Sequence, residues 1–226
     1  MKTGKWLVFR NLWALTFLST GITLSILWGD TWYGFVAFLS GIACVFAAAV
    51  GSKHTYSIGI INAAFYGYVA LKAGLNGEMH LNWLFYLPLQ FVGFWMWSKQ
   101  TQADGTVQKR QLNRTRFALI VLLSGLVTVL YGVFLKGFRG QVIPYVDSFT
   151  TIFSIAASIL MLLRFREYWN LYIAVNVVSV VMWSHRVYDG VDDALTMLVM
   201  WVAFLVNSVY GWWVWNQKEP SGTEER

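Results

Sequence analysis

Charge is scarce in this chain of 226 residues: Asp, Glu, Lys and Arg together make 12%, against 57% hydrophobic residues. A soluble domain carries about a quarter charged residues, so this composition excludes an ordinary soluble fold and leaves an integral membrane protein. Cysteine is almost absent. The single Cys44 excludes an intramolecular disulfide and a thiolate metal cluster, and reads as a buried small hydrophobe. The three histidines, His54, His80 and His185, fall in loops near charged neighbours, and Ser40 and Ser154 have no base at matching depth. No catalytic residue, metal site or cofactor is therefore expected, and the chain is not read as an enzyme. The last apolar run has no lysine, which removes the Schiff base a retinal receptor needs.

A further scarcity narrows the chemistry. No Asp, Glu, Lys or Arg falls in the central half of any apolar run; Glu78, Asp147, Asp192 and Asp193 all sit at run ends. Proton relays and coupling-ion sites use intramembrane carboxylates, and a phosphate in low dielectric needs Arg or Lys. The expected ligand is thus unphosphorylated, with a ring to stack and polar groups to bond, moved down its own gradient. A cationic ring suits such a site, because aromatic faces stabilise a cation by about 0.5–2 kcal/mol.

What is abundant is apolar length. Eight runs, at 11–28, 33–50, 56–75, 81–97, 116–135, 147–163, 168–183 and 194–215, approach the 20 or so residues that cross a bilayer core as a helix. The first lacks a small-x-small cleavage site and reads as an anchor rather than a signal peptide. With the N-terminus inside, thirteen basic residues fall on the inner side: Lys2, Lys5, Arg10, Lys53, Lys99, Lys109, Arg110, Arg114, Arg116, Arg164, Arg166, Lys218 and Arg226. Only Lys72, Lys136, Arg139 and Arg186 fall outside. That asymmetry places both termini in the cytoplasm and accounts for the net charge of +6 without nucleic acid.

Two stretches repeat. GFWMWSK at Gly93 to Lys99 resembles GWWVWNQK at Gly211 to Lys218, and Ser40 precedes Asn62 by the same 22 residues that separate Ser154 from Asn176. Helices 2–4 and 6–8 therefore read as two parallel copies of one three-helix bundle. Two bundles in the same orientation need one helix between them, which is helix 5, and helix 1 stands outside the repeat. The expected organisation is an extra N-terminal helix at 1–32, a first bundle at 33–98, a basic loop and linker helix at 99–146, a second bundle at 147–217, and a cytoplasmic tail at 218–226. Parallel repeats of this kind place a transport site near mid-depth at their interface.

Against an apolar background the polar residues at depth stand out. Gln90 interrupts LFYLPLQFVGFWMW, Asn176 lies near the middle of helix 7, and Asn62 and Asn207 lie within about two turns of mid-depth. Each must hydrogen-bond in hydrocarbon, either to another helix or to a ligand. Tyr66, Phe91, Trp95, Trp183, Tyr210 and Trp213 share the same four helices. Trp6, Trp28, Trp32, Trp97 and Trp215, at span ends, read as interfacial-belt residues.

NAAFYGYVALKAGLNGEMHLNWLFYLPLQFVGFWMW at Asn62 to Trp97 and WNLYIAVNVVSVVMW at Trp169 to Trp183 closely resemble the PnuC family of bacterial vitamin transporters, over about 35–217. The resemblance implies an all-α, SWEET-like membrane fold of eight transmembrane helices, with two three-helix bundles and a linker helix. It implies uptake of nicotinamide riboside, a vitamin B3 form used for NAD biosynthesis, by facilitated diffusion across the bacterial inner membrane. A cytoplasmic kinase then retains the product. It also implies a homo-oligomer, taken as a trimer. In the family pattern Gln90, Asn176 and Trp183 line the substrate site, and Asn207 and Tyr210 match less distinctively. SWEET hinge prolines do not carry over, since only Pro88 lies within a span. Thiamine or another nucleoside on the same scaffold is the alternative; a receptor or enzyme is remote.

Overall fold

The computed structural model describes residues 12, 15–23, 25–27, 29–101 and 107–217. Lys2, Lys5, Trp6, Arg10, Trp28, part of the basic loop and the expected cytoplasmic tail lie outside the described residues. Among these residues eight helical rods follow one another. They are α1 (Leu15–Leu27), α2 (Trp32–Ala49), α3 (His54–Lys72), α4, α5 (Arg114–Leu135), α6 (Pro144–Leu162), α7 (Tyr168–Tyr188) and α8 (Ala194–Asn216). The rod α4 joins Asn76–His80, a π-helical stretch Leu81–Tyr86 and Leu87–Ser98. Length and apolarity alone qualify α2, α5, α6 and α8 to cross a membrane. The other rods are shorter or more polar, and α3, α4 and α7 carry amides toward the interior.

The π stretch is the local consequence of Pro88. Proline has no N–H to continue the i→i−4 ladder and its ring crowds the preceding turn. The chain widens by one residue per turn just before it, and the Leu87 N–H reaches back five residues to the Asn82 carbonyl. The widened stretch, Leu81–Tyr86, thus lies before Pro88, and Gln90 follows it in regular α-helix.

Helix ends are closed by side chains from other segments. Asp147, at the start of α6, caps α4 from outside: its carboxylate accepts from the backbone N–H of Gly77 at 2.8 Å and of Glu78 at 2.9 Å, and from Gln141 Nε2 at 2.9 Å. This places negative charge on the first turn of a helix, where free N–H groups and the helix dipole favour it. Thr31 caps α2, its hydroxyl accepting from the Gly34 N–H.

The packing is symmetric in pattern. α2 meets α3, α3 meets α4, and α2 meets α8; correspondingly α6 meets α7, α7 meets α8, and α6 meets α4. Exchanging α2, α3, α4 with α6, α7, α8 maps each contact onto another in the set. The linker α5 packs on α6 and turns Leu122, Leu126 and Leu130 outward. The close approaches repeat as well. A Cβ on Gly93 of α4 would meet the Tyr56 ring at 2.1 Å, and one on Gly211 of α8 would meet the Trp169 ring at 2.3 Å.

One end of the assembly is basic, with Lys53, Lys99, Arg114 and Arg164 at helix ends and turns. The opposite end gathers most of the acidic residues, Asp30, Glu78, Asp147, Asp189 and Asp193, together with Lys72, Lys136 and Arg186. At the basic end Trp97 and Trp215 are buried to 0% and 2% exposure, which corrects their reading as belt residues. Tyr56 meets Trp97 edge-on at 5.1 Å, Tyr168 meets Trp215 at 5.1 Å, and the two tryptophan centroids lie 6.4 Å apart. Trp32, 69% exposed, keeps the belt position.

Candidate functional site

Between the rods lies an elongated cavity. Its walls come from α2 (Cys44, Val45), α3 (Asn62, Tyr66), α4 (Glu78, Asn82, Tyr86, Gln90), α6 (Ser154, Ser158), α7 (Tyr172, Asn176) and α8 (Trp201, Asn207, Ser208). Both halves of the symmetric pattern contribute. All four amides read from the sequence as candidates, Asn62, Gln90, Asn176 and Asn207, face this one cavity.

Their partners differ, and the difference is informative. Asn176 Nδ2 donates to the Ser208 hydroxyl at 2.6 Å, tying α7 to α8. Asn62 Nδ2 donates to the Ala37 carbonyl and Asn207 Nδ2 to the Val45 carbonyl, each at 2.9 Å, so α3 and α8 are both tied to α2. In each of these two the amide spends one N–H on the fold, while the residue also lines the cavity. Gln90 is buried and has no hydrogen bond from another described residue. Its amide sits against Gly59, where a Cβ would come within 2.6 Å of Gln90 Oε1, so that glycine makes its slot. A buried primary amide without protein partners costs about 1–3 kcal/mol unless something else bonds it.

Tyr66 organises the aromatic wall. Its hydroxyl accepts from Trp183 Nε1 and from Trp201 Nε1, both at 3.0 Å. A phenol has one proton to donate, and among the described residues that proton has no acceptor. Trp201 was not singled out from the sequence: it lies in an evenly apolar stretch with no polar contrast to mark it. Trp183 and Tyr210, both expected in the site, stand off the cavity. Trp183 is fully buried with its ring centroid 6.1 Å from that of Tyr66, its N–H already committed. Tyr210 stacks on Trp213 at 6.5 Å. Phe91 and Trp95 face outward at 65% and 60% exposure, with Lys99 Nζ 3.6 Å above the Trp95 ring. Cys44, expected as inert core, lines the cavity with its thiol 3.3 Å from the Thr55 carbonyl.

The sequence also places every carboxylate beyond the site, and here the structure differs. Glu78 lines the cavity, because α4 begins at Asn76 rather than at 81 and its first turn is drawn inward by the Asp147 cap. No Lys, Arg or His lines the cavity among the described residues. No group of three metal-ligating side chains occurs among them either.

This combination, a cavity between two equivalent sets of helices with amides and aromatic rings at depth, is that of a carrier. Residues 31–217 match the family described as Nicotinamide mononucleotide transporter. The chain belongs to that family. It is 36% identical over 226 residues to a protein of Neisseria mucosa named nicotinamide riboside transporter PnuC, covering 97% of this chain and 86% of the relative. A protein of the same name from Haemophilus influenzae is 32% identical, covering 94% of this chain and 91% of its own. A crystal structure titled as that of the vitamin B3 transporter PnuC superposes with a TM-score of 0.81 at 36% identity, over 92% of this chain and 90% of that one. The expected PnuC membership and the all-helical membrane fold are thus borne out, and the family is one of transporters, not enzymes.

Proposed function

We propose that this protein carries nicotinamide riboside, with Asn62, Tyr66, Gln90, Asn176 and Asn207 contacting the ligand and Trp183 acting through Tyr66. The observation that carries the choice of substrate is the wall of the cavity, which holds five amides (Asn82 beside the four read from the sequence), several phenols and the indoles of Trp169 and Trp201 but no cation among the described residues. The family description names the mononucleotide and the relatives' names give the riboside. A phosphate dianion moved from water into such a wall loses its hydration with no Arg or Lys to replace it, at a cost of several kcal/mol. The riboside has no such group. Its ribose hydroxyls and carboxamide match the free amide groups, and its positive pyridinium matches the aromatic faces.

The same reading assigns movement by facilitated diffusion, through rocking of a bundle at 33–98 against one at 147–217. The basic end faces the cytoplasm of a bacterial cell, and a cytoplasmic kinase traps the riboside as its phosphate. A homotrimer is the assembly that goes with this reading. Binding to the purified protein should rank the riboside first, with the mononucleotide at least about a hundredfold weaker, a difference of about 2.8 kcal/mol. Liposomes loaded with the kinase and ATP should accumulate label equally with and without proton or sodium gradients. Equal affinity for the mononucleotide, or a preference for thiamine or uridine, would overturn the substrate; gradient-driven accumulation without the kinase would overturn the coupling.

A further inference from the structure

Glu78 is an unusual member of the cavity wall. It is 1% exposed, and its Oε1 has no hydrogen-bond partner. Neither Glu78 nor Asp147 has a Lys or Arg within ion-pairing distance among the described residues. The two carboxylates are nevertheless provided for very differently. Asp147 accepts two backbone N–H groups at the start of α4 and the Gln141 amide, so its charge is spread over three donors at a helix N-terminus. Glu78 has only the Thr150 hydroxyl beside its carboxyl and otherwise faces the cavity. Three charged neighbours at the same end pair elsewhere: Arg186 donates from Nη1 to the Ala73 carbonyl and pairs through Nη2 with Asp189, leaving only its buried Nε without a partner, Lys72 sits over the Tyr68 ring at 5.4 Å, and Lys136 over Tyr145 at 4.7 Å.

We propose that Glu78 is the counter-charge of the site, its carboxylate recognising the positive charge on the ring of the transported nucleoside. The inference rests on the riboside reading above. A carboxyl buried with no cation in the protein is costly to keep charged, and a ligand that brings the cation favours its charged form and offsets that cost. The aromatic wall provides a second, non-ionic contact to the same charge, and Glu78 adds an ionic one that Glu78→Gln removes. Glu78 makes the carrier sensitive to charge, and so separates a pyridinium nucleoside from a neutral nucleoside of the same shape. It also adds to the exclusion of the mononucleotide, whose phosphate would meet a like charge if it reached the acidic end.

The test uses two ligands and the full-length protein. Nicotinamide riboside carries the charged ring nitrogen; the C-riboside of benzamide keeps the carboxamide, the ribose and the aromatic ring but is neutral. By calorimetry the wild type should bind the cation at least about tenfold more tightly than the neutral analogue, as expected for one close charge pair away from water. Glu78→Gln should weaken binding of the cation about tenfold or more and that of the neutral analogue less than about twofold, bringing the two affinities together. Equal loss for both ligands in Glu78→Gln would make Glu78 structural and overturn the proposal. So would equal affinity of the wild type for the two, a result that needs no variant and stands even if Glu78→Gln does not fold. Wild-type protein that binds neither ligand defeats the riboside reading itself, a distinct outcome from a charge-blind site.

Discussion

The Trp183 indole N–H donates to the Tyr66 hydroxyl over 3.0 Å, joining helices 117 residues apart in sequence. The same oxygen takes the Trp201 indole N–H at 3.0 Å, so one phenol holds α3, α7 and α8 at a single point. Tyr66 lines the cavity and Trp183 does not. The tryptophan sets the angle at which the tyrosine is presented to a ligand.

Tyr66→Phe keeps the ring and removes the acceptor, leaving two buried indole N–H groups unpaired. The expected loss is about 2–4 kcal/mol of stability, from about 1–2 kcal/mol per orphaned donor. Trp183→Phe should cost less, because the Trp201 bond survives. Melting temperatures of the two variants in one detergent check the order; Tyr66→Phe melting with or above Trp183→Phe would show that the three-way bond contributes little.

Gln90 and Asn176 separate by partner. Gln90→Ala removes an amide with no protein bond among the described residues, so affinity should fall by about 1–3 kcal/mol with the melting temperature nearly unchanged. Asn176→Ala also breaks the 2.6 Å bond to Ser208, so stability and affinity should fall together. Calorimetric titration paired with thermal unfolding reads both. Wild-type affinity in Gln90→Ala would return Gln90 to a packing role in the slot made by Gly59.

Much of this site was legible because polar residues are conspicuous in an apolar chain. Gln90, Asn62, Asn176 and Asn207 were found by depth alone, since hydrocarbon gives an amide few alternatives to a helix or a ligand. The paired endings at Gly93 and Gly211 were legible as a repeat, and the two glycines admit Tyr56 and Trp169 in corresponding places. What failed did so for one reason: position along a helix does not say which way a side chain faces. Trp97 and Trp215 lie at span ends, as belt residues do, yet they close the interior. Glu78 lies at a span end, as a solvated anchor does, yet it points inward, because a residue far along the chain, Asp147, caps its helix. Trp201 carries no polarity contrast and became visible only through its bond to Tyr66.

At the acidic end Asp193 ties the loop before α8 to the start of α2: its carboxylate accepts from the Thr31 N–H at 2.9 Å and the Thr31 hydroxyl at 2.7 Å. Its φ of 60° lies in the left-handed region, which costs a side chain about 1–2 kcal/mol. Asp193→Ala should lose the bonds and keep that cost; Asp193→Gly should lose the bonds and shed it, melting above the alanine variant. Burial, together with Asp30 and Asp192, holds the Asp193 carboxyl above its ordinary value against the lowering effect of the Thr31 bonds. Because the folded state holds that proton more tightly, its contribution is fully present below the ordinary carboxylate range near pH 4 and is lost as pH rises through the raised value. Asp193→Asn, which does not titrate, should lack this component. An identical pH dependence of melting in wild type and Asp193→Asn would remove Asp193 from the balance.

Gly93 and Gly211 test whether the two halves move as equivalents. A methyl group on either would meet an aromatic ring, Tyr56 at 2.1 Å or Trp169 at 2.3 Å, and both rings line the cavity. Interiors packed this closely do not absorb such an overlap, so the ring must turn into the cavity or the helices must part, at about 1–3 kcal/mol. Gly93→Ala and Gly211→Ala should therefore each slow uptake strongly in liposomes and weaken ligand binding, while retaining the helical circular-dichroism spectrum. If only one of the pair matters, the halves are not equivalent in the transport cycle. If neither does, the aromatic closure at Trp97 and Trp215 has enough slack to take a methyl group, and the gate must be sought at the Thr31 and Asp193 end.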